Sequence, residues 1–148
     1  MVKTSKTYHS HGKLLITGEY VVLDGAKALA IPTKYGQRLS VRENDSDTLV
    51  WNSYDELGNI WFEDEIAINE IGSPQSIKPR TDVSERLVNI LKAAQELNPE
   101  FLSDHQGYNI TTHQDFNRKW GLGTSSTLIN NIADWAEVDA YALLEQTF

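Results

Sequence analysis

The segment Lys119-Trp120-Gly121-Leu122-Gly123-Thr124-Ser125-Ser126-Thr127 lies between a run with strand character and a run with helix character. Its two glycines let the backbone turn sharply and approach a ligand closely. Hydroxyl residues then open the helix, where the first N–H groups lack partners and the helix dipole presents its positive end. A helix start of this kind attracts an anion, and phosphate is the commonest biological one. A serine in that turn can also add a hydroxyl ligand to a Mg²⁺ carried on the same phosphates. The loop is not a Walker A sequence, because no Lys-Ser or Lys-Thr follows its second glycine. The same residues also read as an ordinary helix cap, since Ser and Thr open many helices.

Outward from this loop, residues 108–112 read as a strand and residues 128–136 as a helix. A further helix is expected from about Asp139 onward. A longer helix is expected over residues 83–97: Leu87, Ile90, Leu91, Ala94 and Leu97 recur at helical spacing, Thr81 or Asp82 can cap it, and Asn98-Pro99 stops it. Residues 71–80 hold Gly72, two prolines and two serines and read as a loop. Residues 48–52 and 59–63 read as a hairpin around the turn-rich segment 53–58, and Glu63-Asp64-Glu65 reads as a solvated face. Residues 37–42 alternate as a half-buried strand does. The chain shows no internal repeat and no low-complexity linker, and residues 1–148 form one domain.

A second segment carries chemistry: Gly12-Lys13-Leu14-Leu15-Ile16-Thr17-Gly18-Glu19-Tyr20-Val21-Val22-Leu23-Asp24-Gly25. A lysine entering a strand can place a fixed positive charge where it offsets a phosphoryl group or an alkoxide. Glu19, set between two apolar runs, is less ordinary than the glutamates of the 63–65 run. The plain alternative is a solvated lysine at a strand start and a glutamate in a surface turn.

Taken together and in this order, the two segments resemble the first and second motifs of the GHMP kinases, the group that includes galactokinase, homoserine kinase, mevalonate kinase and phosphomevalonate kinase. The Gly-Glu-Tyr form at Gly18 to Tyr20 is similar to the mevalonate and phosphomevalonate branch. The resemblance implies an α+β N-terminal domain with a left-handed β-α-β crossover. It implies that Gly121, Leu122, Gly123, Thr124, Ser125 and Ser126 wrap the phosphates of ATP and that Ser125 ligates Mg²⁺. Lys13 would contact the reacting hydroxyl and the transferring phosphoryl group, with Glu19 and Tyr20 in the acceptor pocket. Glu145 is the candidate for a second metal-binding carboxylate, with an exposed helical glutamate as the plain alternative. The implied activity is ATP-dependent phosphoryl transfer to the hydroxyl of a small alcohol or phosphorylated alcohol.

The sequence also departs from the family pattern. His11 stands where a proline usually precedes Gly-Lys, Phe116-Asn117-Arg118-Lys119 lacks the proline expected ahead of the loop, and Ser126 and Thr127 replace paired alanines. Family members continue into a glycine-rich segment with a proton-accepting aspartate and then a second domain. The chain is therefore expected to be truncated and inactive by itself, and to self-associate through surface left bare. The rival expectation is a non-catalytic nucleotide-binding or interaction module.

Bulk properties narrow the field further. Thirteen Lys and Arg against 21 Asp and Glu leave a net charge of −8, which argues against a nucleic-acid partner. The absence of cysteine excludes disulfides, thiol catalysis and thiolate metal sites. No apolar run approaches a membrane span, and no secretory leader is evident, so a cytoplasmic protein is expected. His9 and His11 could share one side of a strand, but no third ligand is near in sequence. His105 and His113 lack a serine and acid context, and Asp115 precedes the loop without a family role. Trp51, Trp61 and Trp135 read as packing residues, and Trp120 abuts the loop.

Overall fold

A computed structural model describes residues 5–17, 29–72, 80–117, 119 and 124–147, with the backbone alone at 13–17 and 29–33. Its strands are β1 (Ser5–Thr17), β2 (Leu29–Glu43), β3 (Thr48–Tyr54), β4 (Ile60–Ala67) and β5 (Tyr108–Gln114). Its helices are α1 (Ile68–Ile71), α2 (Asp82–Leu97), α3 (Thr124–Ala136) and α4 (Ala140–Thr147). The strands form one mixed sheet in the order β1-β2-β5-β3-β4. All neighbours are antiparallel except β3 and β5, which run parallel. Parallel strands cannot be joined by a tight turn, and here the connection carries β4, α1 and α2 before β5 returns beside β3.

Alternation decides which face of the sheet is covered. Leu39 and Val41 of β2, Leu49 and Trp51 of β3, Ile66 of β4 and Ile110 of β5 point into one core. Leu87, Ile90 and Leu91 of α2, Ile129 and Ile132 of α3, and Leu143 of α4 close it from the helical side. Residues of the opposite parity, such as Arg38 and Arg42, are exposed. There His9, Arg38, His113 and Tyr54 fall in one row across four strands, with the Tyr54 and His113 rings stacked at 5.8 Å. His9 and His11 do share a face, their rings edge to face at 4.8 Å, and both are exposed. Among the described residues no group of three or more His, Cys, Asp or Glu could hold a metal. No described helix is long and apolar enough to cross a membrane.

The expected helix over 83–97 forms as α2, and Thr81 rather than Asp82 caps it, its hydroxyl accepting from the Ser84 amide at 3.2 Å. The hairpin forms as β3 and β4: β3 starts at Thr48 as expected and runs on to Tyr54, and β4 starts at Ile60 and runs past Glu63 to Ala67. The acidic run at 63–65 differs from expectation at its centre. Asp64 turns inward and meets Arg80 at 2.7 Å, and the Ser84 hydroxyl donates to the same carboxylate. The other guanidinium nitrogen of Arg80 binds Glu70 of α1, and Arg80 also donates to Ser84 Oγ at 2.9 Å. The Arg80 side chain is 5% exposed, so it is a buried clamp joining β4, α1 and α2 from the end of the loop. Residues 73–79 of that loop lie outside the described residues.

Candidate functional site

Helix α3 begins at Thr124, four residues before the expected start, so the hydroxyls of Thr124, Ser125, Ser126 and Thr127 make up its first turn. A buried polar network holds this turn in place. Gln37 of β2 is 2% exposed, and its amide nitrogen donates to the Thr124 carbonyl at 3.0 Å and to the Thr127 hydroxyl at 2.7 Å. The Thr127 hydroxyl donates in turn to the Thr124 carbonyl at 3.0 Å. One turn further on, Asn131 donates to the Gln37 carbonyl at 2.9 Å and accepts from the Ser10 hydroxyl at 2.6 Å. Each such bond contributes about 1 kcal/mol net, but an unmade one at this depth costs more. The network therefore fixes the start of α3 against β1 and β2.

The run of β1 along α3 orients the lysine segment. Tyr8 lies beside the C-terminal end of α3 with Trp135 and Glu137, and Ser10 meets Asn131 in its middle. Continuing in that direction, the backbone of Lys13, paired with Pro32 of β2, lies toward the N-terminal end of α3. The Lys13 side chain lies outside the described residues, as do Glu19, Tyr20, Gly121, Leu122, Gly123 and Trp120.

A cavity of about 310 Å³ adjoins the first turn of α3. Trp51 and Ser53 of β3 and the adjacent aromatics Trp61 and Phe62 of β4 line one side. Leu87 and Ile90 of α2 line another, and Thr124, Ser125 and Leu128 of α3 close the end. Asp82 and Arg86 bring charge from the start of α2. The Trp51 indole N–H is already satisfied by Ser53 Oγ at 3.1 Å. Thr124 Oγ1 is different: it is buried and has no hydrogen-bond partner among the described residues. Apolar walls with a few convergent polar groups, in a cleft of this volume, are the common form of a small-molecule site.

Ser125 and Ser126 are exposed at the helix start, where first-turn amides have no partner within the helix. Glu145 is exposed on α4 and does not line the cavity that Ser125 lines. The exposed Ser125 hydroxyl is a donor of the kind that a Mg²⁺ arriving on a polyphosphate takes from a protein. The orphaned Thr124 hydroxyl and the aromatic wall similarly fit a nucleotide, with its base on the apolar side and its phosphates at α3.

Phe62 and Arg86 were not marked by the sequence, Trp61 was read as a packing residue and Asp82 as a possible helix cap, and all four line the cavity. Adjacent residues on a regular strand face opposite sides. Trp61 and Phe62 both reach the cavity next to an irregularity in the β3–β4 pairing between Ser53 and Tyr54. The pairing of two aromatics after a turn was the available signal. Of the other tryptophans, Trp51 is a core residue, and Trp135 packs edge to face on Phe101 at 4.8 Å.

No protein-family model matches the chain, and no curated protein matches it. Solved structures do. Mevalonate kinase from Methanococcus jannaschii is similar over 97% of this chain and 47% of its own, with a TM-score of 0.69 and 16% identity. Galactokinase from Lactococcus lactis, solved with galactose, is similar over 97% of this chain and 36% of its own, with a TM-score of 0.66 and 15% identity. A mevalonate diphosphate decarboxylase from Legionella pneumophila is similar over 97% and 41%, with a TM-score of 0.56 and 14% identity. The chain spans less than half the length of these structures. A decarboxylase among the neighbours shows that the fold alone does not choose a reaction. What the match adds to the ordered pair of motifs is their scaffold: this chain has the fold of the N-terminal domain of a GHMP-type kinase.

Proposed function

We propose that this chain is the nucleotide-binding half of a small-molecule kinase that moves the γ-phosphoryl group of ATP to a hydroxyl of a small alcohol or phosphorylated alcohol. The observation that carries the reading is the coincidence, at the start of α3, of an aromatic-walled cavity, an orphaned buried hydroxyl and a run of four hydroxyl residues. The base would rest against Trp61 and Phe62, and the phosphates would lie on the amides of Thr124, Ser125 and Ser126 and the glycine loop before them. Bound Mg²⁺ would neutralise charge on the transferring group, with Ser125 as its protein ligand and Glu145 as the candidate carboxylate. Lys13, whose strand runs toward the same helix end, would hold the acceptor oxygen and offset the charge that develops on it. Glu19 and Tyr20 would belong to the acceptor pocket. The enzyme would work in the cytoplasm, and the chain would self-associate through exposed apolar residues such as Leu57 and Tyr141.

Isothermal titration of Mg²⁺–ATP tests the reading, with Ser125→Ala as the control. Saturable one-to-one binding, weakened about tenfold in the variant, is expected, since a charge-assisted hydroxyl contact is worth about 1.5 kcal/mol. Binding of equal strength in both proteins, or none in either, would remove the nucleotide from this site. Transfer itself is assayed with a panel of small alcohols, and release of ADP without a phosphorylated alcohol would refute the kinase reading.

A further inference from the structure

A larger cavity, about 560 Å³, lies at the opposite end of α3 from the nucleotide site. Its walls are aromatic. Tyr8 of β1, Tyr108 of β5, and Phe101 and Trp135 line it. The Trp135 ring is set edge to face with Phe101 at 4.8 Å and with Tyr108 at 5.7 Å, so three of the rings form one packed group.

The charge around these rings is of one sign. Glu43, Glu100, Asp104 and Glu137 line the cavity, and Lys6 is the cationic residue that lines it with them. None of the four carboxylates is in an ion pair among the described residues. Helices α2 and α3 both end at the cavity, at Asn98 and Ala136, and so add the negative ends of two helix dipoles. The two phenols respond to this field. Burial first, and then the charge of Glu137 and Asp134, raises the Tyr8 hydroxyl above its ordinary range. Burial and the carboxylates of Asp104 and Glu43 do the same at Tyr108.

Aromatic faces bordered by carboxylates recognise organic ammonium groups, through attraction to the ring quadrupole and through ion pairing. A bare metal ion gains little from such walls, because it prefers oxygen ligands and keeps its water. From the aromatic walls and the charge together, we propose that this cavity is a binding site for an organic polyamine. Ammonium groups would lie among Glu43, Asp104 and Glu137, and methylene segments would lie on Tyr8, Tyr108 and Trp135. The site is separate from the nucleotide site and does not depend on it.

The test is calorimetric titration of spermidine into the protein at low salt. Three proteins are compared: the parent chain, Asp104→Asn with Glu137→Gln, and Glu63→Gln with Glu85→Gln. All four substituted residues are exposed, so the fold is retained, and circular dichroism verifies it. Each double variant removes the same charge from a chain of net −8, but only the first touches the cavity. Saturable one-to-one binding, weakened at least fivefold in the first variant and unchanged in the second, is expected. Equal weakening in both would mean general attraction to an acidic protein and would overturn the proposal, as would absence of saturable binding. A second arm compares 1,4-diaminobutane with Mg²⁺ at equal charge. Preference for the diamine is expected, and displacement of spermidine by Mg²⁺ at equal concentration would overturn the role given to the aromatic walls.

Discussion

Replacing Arg80 by methionine should unfold the protein far more easily than its position after a proline-rich segment suggests. Methionine keeps the apolar stem and removes the guanidinium, leaving Asp64 and Glu70 with side chains 18% and 9% exposed and no cation between them. Breaking one partner out of a buried ion network costs about 3–5 kcal/mol. The partial exposure of Asp64 lets water return, which favours the lower end of that range. A loss of about 3 kcal/mol lowers the folding equilibrium constant roughly 150-fold. With a urea slope of about 2 kcal/mol per molar, the midpoint falls by about 1.5 M. For a chain of this size Tm falls by about 10 °C. Urea unfolding followed by tryptophan fluorescence reads the change. The cause is tested by adding Asp64→Asn and Glu70→Gln to the same variant. Those changes remove the stranded charges and should restore more than half of the lost stability. A midpoint shift below about 0.3 M for Arg80→Met, or a triple variant no more stable than the single one, would refute the reasoning.

Two further outcomes follow from groups described above. The folded-state pKa of both Tyr8 and Tyr108 is raised above 10.0, so the unfolded chain loses these protons first. Their contribution is fully present below pH 10 and disappears as pH rises through the folded-state values; urea midpoints between pH 9 and pH 11.5 should fall, and less steeply in Tyr8→Phe with Tyr108→Phe. Gln37→Leu removes both donors to the first turn of α3 and should cost about 1–3 kcal/mol, with amide hydrogen exchange at residues 124–127 speeding up more than in α2.

Local rules made most of the elements legible. Leu87, Ile90, Leu91 and Ala94 recur at the period of a helix and all four are buried, which is why α2 stands where expected. The alternation over 37–42 likewise placed Leu39 and Val41 inward. The start of α3 was less legible, because hydroxyl residues suit a cap as well as a first turn. What decides for the helix is Gln37, 87 positions away, whose two bonds no local pattern announces. Asp64 was misread for the same reason. A charge in a polar stretch looks solvated until a partner from another element meets it, as Ser84 does here. Thr124 and Ser125, which line the cavity, were legible as hydroxyls opening a helix because that pattern reflects local backbone chemistry. The cavity beside them was not, because it is made where β3, β4, α2 and α3 converge.

The sheet order has a consequence for how the chain reaches this structure. Strands β1 and β2 pair with each other, as do β3 and β4, and the two pairs are joined only when β5 enters between β2 and β3. Until residues 108–114 arrive, two ribbons each carry an inner edge with unmatched N–H and C=O groups. The last strand must then satisfy both, antiparallel to one and parallel to the other, and a slip of one residue would turn Ile110 and Thr112 out of the core. Closure therefore waits on contacts distant in sequence, which places folding in the slow range typical of non-local sheets. On a ribosome, the interval before β5 emerges is when the chain is most exposed to wrong strand partners.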